Sequence, residues 1–228
     1  MLKKLIWDSN FFNINIFTID LNNYKFNKLN NEIKKLNNAL IQVNIDVNKK
    51  DLIQKFINFG FAMESVSSTF QKKKIGTEYI DYRLANNNDL KKLRIISKNL
   101  FTKTRIKDQY FGTNSSHKFY AKWLENSVNG SHDDCCLLTS DDKNNIMGFV
   151  TLKKNIDNIR IGLFGIAKNY QKKGIGSKLL QVVESFKKSN NIEISLVTTQ
   201  QDNLTAKKLY IKNGYKLVKN IAWLYLKN

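Results

Sequence analysis

Residues 168–177 read Lys-Asn-Tyr-Gln-Lys-Lys-Gly-Ile-Gly-Ser, where a strand-like run (residues 159–167) gives way to an amphipathic helix. Gly174 and Gly176 let a backbone come close to an anion, and the first N–H groups of a helix carry partial positive charge toward it. Lys172 and Lys173 sit inside the loop, where they can meet more than one phosphate. The chemistry this suggests is capture of a polyphosphate by Gln171, Lys172, Lys173, Gly174, Ile175, Gly176 and Ser177. A Gly-x-Gly pair alone is more often an ordinary turn, so its neighbours must decide.

Those neighbours are well ordered. Ile175, Leu179, Leu180, Val183 and Phe186 share one face at helical spacing. Residues 193–199 form a β-branched run that reads as a buried strand. Asp202 or Asn203 then caps a short helix from Leu204 to Asn213, which Gly214 ends. Asn203, Ala206 and Tyr210 lie along one side of it, since spacings of three, four and seven align on a helix. Taken without context, Tyr210 reads as a half-buried core residue.

Strand, phosphate loop, helix, strand and capped helix with an inward tyrosine resemble the GCN5-related N-acetyltransferases, the GNAT family. The stretch from Gln171 to Gly176 is similar to their acetyl-CoA pyrophosphate loop. Asn203, Ala206, Tyr210 and Gly214 are similar to the later motif that holds the pantetheine arm and the thiol. The resemblance implies acetyl-CoA as cosubstrate, no metal, and Tyr210 as the proton donor to the departing thiolate. Its ordinary pKa of about 10 is close enough to that of a thiol for the two to share a proton. Phe164, Gly165 and Ile166 would offer backbone groups to the pantetheine amides. On spacing alone Gly165 marks a packing accommodation, or else a bulge or close approach that splays its strand from the next; the resemblance favours the second. No general base stands out among Glu64, Glu78, Glu125 and His117, and a sugar amine is neutral enough for water to suffice.

Three further stretches resemble the bacterial members of that family that acetylate dTDP-fucosamine, a 4-amino-4,6-dideoxy sugar nucleotide of surface polysaccharide synthesis. They are Trp7-Asp8-Ser9-Asn10-Phe11-Phe12, Phe119-Tyr120-x-x-Trp123-x-Glu125-Asn126, and Trp223-x-Tyr225. This narrower resemblance implies a nucleotide-linked amino sugar as partner. Arg105, Tyr110 and Tyr120, with Trp7 and Phe12, are the expected acceptor residues. The forked donors of arginine suit a diphosphate, and aromatic rings suit a thymine or a sugar; packing between domains explains Trp7 and Phe12 equally well. Two other readings stand beside this one: acetylation of a protein or other small amine, and a lysine-rich nucleic-acid-binding module on a degenerate fold.

The net charge of +19 over 228 residues invites the nucleic-acid reading. The basic residues, however, are lysines spread along the whole chain, with only Arg83, Arg94, Arg105 and Arg160 as arginines and no proline. That distribution describes a solvated lysine surface, which also attracts polyanionic substrates. It favours no nucleic-acid partner. No apolar run approaches the roughly 20 residues needed to cross a bilayer, and the start lacks a signal-peptide pattern. A cytoplasmic protein without a membrane partner is therefore expected. The oligomeric state is open, a homodimer included. Cys135 and Cys136 are adjacent on a strand-like run and so point to opposite faces, as structural cysteines rather than a bridge or a chelate.

Around the site the sequence reads as α/β of the α+β kind. The expected architecture is a GNAT fold with a central mixed, mostly antiparallel sheet flanked by helices, plus a small N-terminal α/β domain. The boundary falls near residue 77. Residues 1–77 are expected to contribute to acceptor binding, and 78–228 to form the acetyl-CoA-binding catalytic domain. Expected in the first part are a strand over 7–20, a helix over 27–38, a strand over 39–47, a helix over 49–59 and an extended run over 61–71. The second part opens with a strand over 79–84 and a helix capped by Asn88 or Asp89. An irregular stretch over 102–116 and a helix capped by Ser115 or Ser116 follow, then strands over 135–139, 145–153 and 159–167. A last strand over 215–226 completes the sheet.

Overall fold

The structure is a computed structural model that describes residues 1–73 and 79–228. In chain order its elements begin with β1 (Leu2–Lys4), α1 (Ile6–Phe12), β2 (Asn15–Ile19), α2 (Phe26–Ile33), β3 (Ala39–Asp46), α3 (Lys50–Asn58) and β4 (Ala62–Lys72). Then come β5 (Arg83–Leu84), α4 (Leu90–Ser97), the one-turn α5 (Asp108–Phe111), α6 (Ser115–Val128), β6 (Cys135–Ser140), β7 (Ile146–Lys154) and β8 (Asn158–Ile166). The chain continues with α7 (Ile175–Ser189), β9 (Ile194–Gln200), α8 (Leu204–Lys212) and β10 (Lys216–Lys227). No helix among the described residues is long and apolar enough to cross a membrane.

Two compact units are present, one of residues 1–67, 104–116 and 219–228, the other of residues 68–103 and 117–218. The boundary expected near residue 77, and Glu78 with it, lie outside the described residues.

In the first unit β1 pairs antiparallel with β2, β2 parallel with β3, and β3 antiparallel with β10. Leu29 of α2 and Phe56 of α3 are fully buried against Ile41, Val43 and Leu224 of this sheet. The strand expected over residues 7–20 is instead a helix followed by a strand. Trp7 and Phe11, four residues apart, stack at 5.1 Å as helical neighbours do, and Asn13 ends the helix with a φ of 54°. Only from Asn15 onward does the apolar alternation pair with β1 and β3.

In the second unit the strands run in the order β4, β9, β8, β7, β6, β5. β8 and β9 are parallel, while β8–β7, β7–β6 and β6–β5 are antiparallel. The sheet is thus mixed, with helices on both faces. Leu137 packs with α7 and α8, whereas the adjacent Leu138 packs with α4 and α6. Cys135 and Cys136 alternate in the same way, and both are free thiols. Burial raises both thiols, Cys135 to about 11, which keeps them inert. The strand expected over 79–84 shrinks to Arg83–Leu84, the two residues that find partners on β6. Ahead of them, Ile80 donates its N–H to Ser185 of α7 instead. Asp89 occupies the N-cap position of α4 as expected but makes no side-chain cap there; its carboxylate and the Asn86 side chain instead form a capping box around the single turn ahead of the helix.

Candidate active site

The site in the second unit begins with a fault in the sheet. On β7 and β8, Val150 pairs with Phe164 and Leu152 with Ile161, so Gly162 and Leu163 together oppose the single Thr151. This is a β-bulge, and it bends the strand that carries it. The ladder between β8 and β9 ends at the same level, at Ile161 and Val197, although β8 runs on to Ile166 and β9 to Gln200. The two parallel strands therefore part, leaving Leu163–Ile166 and Thr198–Gln200 unpaired with each other.

A buried carboxylate holds the bulge. Asp133, fully buried, accepts from Trp123 Nε1 (2.7 Å), Ser127 Oγ (3.2 Å) and Thr151 Oγ1 (2.6 Å), with Arg160 at 3.3 Å. Thr151 Oγ1 in turn accepts the N–H of bulged Leu163 at 2.7 Å. A Cβ on Gly162 would collide with Asp133 Oδ2. The glycine the bulge requires is therefore Gly162. Gly165, expected to mark the bulge, has another reason: a Cβ there would run into the ring of Phe149.

Beyond β8 the chain turns through residues 168–170 into the glycine loop. Gln171 Nε2 ties the loop back to the carbonyl of Ile166 at 3.2 Å. Lys172 (φ 60°) and Gly174 (φ 80°) both take the left-handed conformation. Among the described residues, none of the backbone N–H groups of residues 172–176 has a hydrogen-bond partner. A Cβ added at Gly174 would meet nothing within 4 Å. The loop thus presents a run of unpaired donors, two exposed lysines and open space at the start of a 15-residue helix, a fit for a diphosphate. Gly176 and Ser177 face the other way. A Cβ at Gly176 would press on Leu209 of α8, and Ser177 Oγ accepts from Asn213 Nδ2 at 3.1 Å.

Asn203 caps α8. Its Oδ1 accepts the N–H of Ala206 (3.2 Å), and its Nδ2 donates to Thr199 Oγ1 at the end of β9 (3.1 Å). Two turns on from Asn203, Tyr210 is buried, its ring 5.9 Å from Phe70 of β4, 6.3 Å from Phe164 of β8 and 5.9 Å from Tyr215. Its hydroxyl has no hydrogen-bond partner among the described residues. Burial pushes its pKa well above the ordinary tyrosine value, so the phenol stays protonated and is a donor.

Four of the five expected acceptor residues belong to the first unit. The Arg105 guanidinium lies 4.2 Å from the centre of the Trp223 ring and donates to Tyr225 Oη (3.0 Å) and Gln42 Oε1 (3.4 Å). Tyr110 donates to Glu64 at 2.6 Å and stacks edge-on with Tyr225 at 5.1 Å. Burial first, then the Glu64 carboxylate, pushes the Tyr110 pKa up to about 12. Phe12 packs on Phe111 at 4.7 Å, and Trp7 stacks on Phe11, 43% exposed. Tyr120 belongs to the second unit, on α6, with its ring 4.6 Å from Phe101. Of the carboxylates weighed as a base, Glu125 is held low by Arg94 and Lys122 on the surface. His117 is exposed.

Residues 100–215 match the model of the acetyltransferase (GNAT) family. The chain belongs to that family. The dTDP-fucosamine acetyltransferase of Escherichia coli O6:H1 is 30% identical over 143 residues, 62% of this chain and 61% of that protein, so less than two thirds of that relative's length is matched. Two solved structures are similar in fold. One is a conserved protein of unknown function from Staphylococcus epidermidis (TM-score 0.60, 18% identity, 94% of this chain and 84% of that one). The other is a GCN5-related N-acetyltransferase from Sphaerobacter thermophilus (TM-score 0.60, 12% identity, 87% and 64%).

Within this GNAT fold, the residues that sequence reasoning missed are Gly162, Thr151 and Asp133. Gly162-x-x-Gly165 puts two glycines on one strand, and only the strand pairing tells the bulged one from the one that a ring approaches. Asp133 sits in the polar run Ser131-His132-Asp133-Asp134, where nothing in the sequence separates a buried carboxylate from an exposed one.

Proposed function

We propose that this GNAT moves the acetyl group of acetyl-CoA to the amine of a nucleotide-linked 4-amino-4,6-dideoxy sugar, dTDP-linked by preference, for surface polysaccharide synthesis. The observation that carries the reading is the parting of β8 from β9 beside a loop of unpaired N–H groups. Such a slot suits a long carrier with a diphosphate at one end. The sugar rests on the dTDP-fucosamine acetyltransferase similarity and on the arginine and aromatic side chains of the first unit.

Acetyl-CoA supplies the acyl group as an activated thioester. Lys172, Lys173 and the N–H groups of residues 172–176 hold its diphosphate, and the freed backbone of Phe164 to Ile166 meets the pantetheine amides. Tyr210 holds a proton at Oη for the departing sulfur. Arg105 and Tyr110, with neighbouring rings, take the nucleotide part of the acceptor, which gives the first unit its role. The amine proton leaves to water.

The test is thiol release from acetyl-CoA in the presence of dTDP-4-amino-4,6-dideoxygalactose, the free amino sugar, or a lysine peptide. Turnover with the sugar nucleotide and little with the other two is expected. Equal rates with the lysine peptide would overturn the acceptor assignment, and tight duplex binding without turnover would replace it with a nucleic-acid role.

A further inference from the structure

The slot between β8 and β9 has two sides. Phe164, Ile166, Val197 and Tyr210 pack with α7 and α8 on one side, while Leu163, Phe149 and Leu100 pack with α4 and α6 on the other. The phosphate loop opens α7, so an acetyl carrier held there lies along the α7 side and blocks that face of its own thioester. An attacking amine must come from the α4 side.

Gln200 borders the slot on that side. Thr198 Oγ1 lies 2.9 Å from Thr69 Oγ1 of β4, whereas the next β4 residue, Phe70, packs against Tyr210 on the α7 side. Thr198 therefore faces α4, and strand alternation turns Gln200 the same way. Thr199, between them, reaches the cap of α8 through Asn203, as alternation requires. The Oε1 of Gln200 is buried and accepts no hydrogen bond from any of the described residues. Nearly all buried polar atoms are paired, so an orphan beside an opening in a sheet points to a ligand.

We propose that Gln200 Oε1 accepts an N–H of the incoming amine and turns its lone pair toward the acyl carbon, making Gln200 a catalytic residue on the acceptor side. A neutral amide oxygen suits this task. A carboxylate would favour the ammonium form, which has no lone pair to give. The N–C bond forms as the C–S bond breaks; the amine gives one proton to water, and the sulfur gains one. The inference rests on acetyl transfer through this slot and not on which amine is used.

The experiment compares Gln200→Met and Gln200→Glu with wild type, using dTDP-4-amino-4,6-dideoxygalactose or, if wild type does not acetylate that sugar, an amine it does acetylate. Wild-type turnover with the sugar thus tests the acceptor assignment, and the variant-to-wild-type ratio tests Gln200. Losing one hydrogen bond predicts a drop of about tenfold in kcat/KM for the amine in Gln200→Met. Acetyl-CoA affinity by calorimetry and the midpoint of thermal unfolding should stay at wild-type values. Gln200→Glu, which keeps an acceptor oxygen, should stay within about threefold of wild type above the pKa of the amine. The proposal is overturned if Gln200→Met keeps wild-type kcat/KM for the amine, if acetyl-CoA affinity falls in step with it, or if Gln200→Glu is as impaired as Gln200→Met.

Discussion

A phenol wedged among three rings, as Tyr210 is, gains nothing from its hydroxyl in the free protein, because no described group bonds to it. Tyr210→Phe should therefore leave thermal stability unchanged or slightly higher. If the hydroxyl serves the leaving sulfur, kcat per folded molecule falls by roughly 100-fold or more, with acetyl-CoA affinity far less affected. Rates within a few-fold of wild type, measured by thiol release, would make the tyrosine structural. Gly174 allows a complementary test. A Cβ there meets no atom of the described residues within 4 Å, but the φ of 80° strains any side chain by about 1–2 kcal/mol. Gly174→Val should cost that much stability in thermal unfolding and far more in acetyl-CoA affinity, with Gly174→Ala in between. Undiminished affinity by calorimetry would dismiss the phosphate loop.

Among elements, the bulge in β8 stands apart from the regular strands because a side chain on β7 holds it open. Thr151→Val keeps the shape and removes both bonds, leaving the Leu163 N–H and one lone pair of Asp133 buried without that partner. The loss should be about 2–3 kcal/mol in denaturant unfolding. Weakened acetyl-CoA binding should accompany it, beyond any change in the acceptor KM. Elements governed by local pattern were legible in the sequence. The apolar face of α7, the Asn203 cap of α8 and the strands β3, β6, β7 and β8 fall within a residue or two of where spacing put them. Elements governed by distant partners were not. β5 is short because only two of its expected residues reach β6, and α1 hides in a run whose alternation begins only after it. The slot itself depends on where one ladder stops, which no local pattern encodes.

At the scale of the whole molecule, a net charge of +19 would attract acetyl-CoA and the sugar nucleotide proposed above, which are both polyanions. Raising ionic strength from about 0.05 to 0.5 M should lower kcat/KM for acetyl-CoA severalfold, as screening shortens the reach of that field. A rate indifferent to salt would confine the lysines to solubility. The interleaving of the two units bears on how the protein is made. Strand β3 waits for β10, its partner from Leu40 to Asp46, until nearly all of the other unit has left the ribosome. During that interval the edge of β3 lies open to any passing strand, so the first unit is complete only when the second has been synthesised. Expressing residues 78–228 alone would not isolate a catalytic half: it would yield a β10 stripped of its mate. Two fragments divided there could regain activity only if β10 of one paired with β3 of the other.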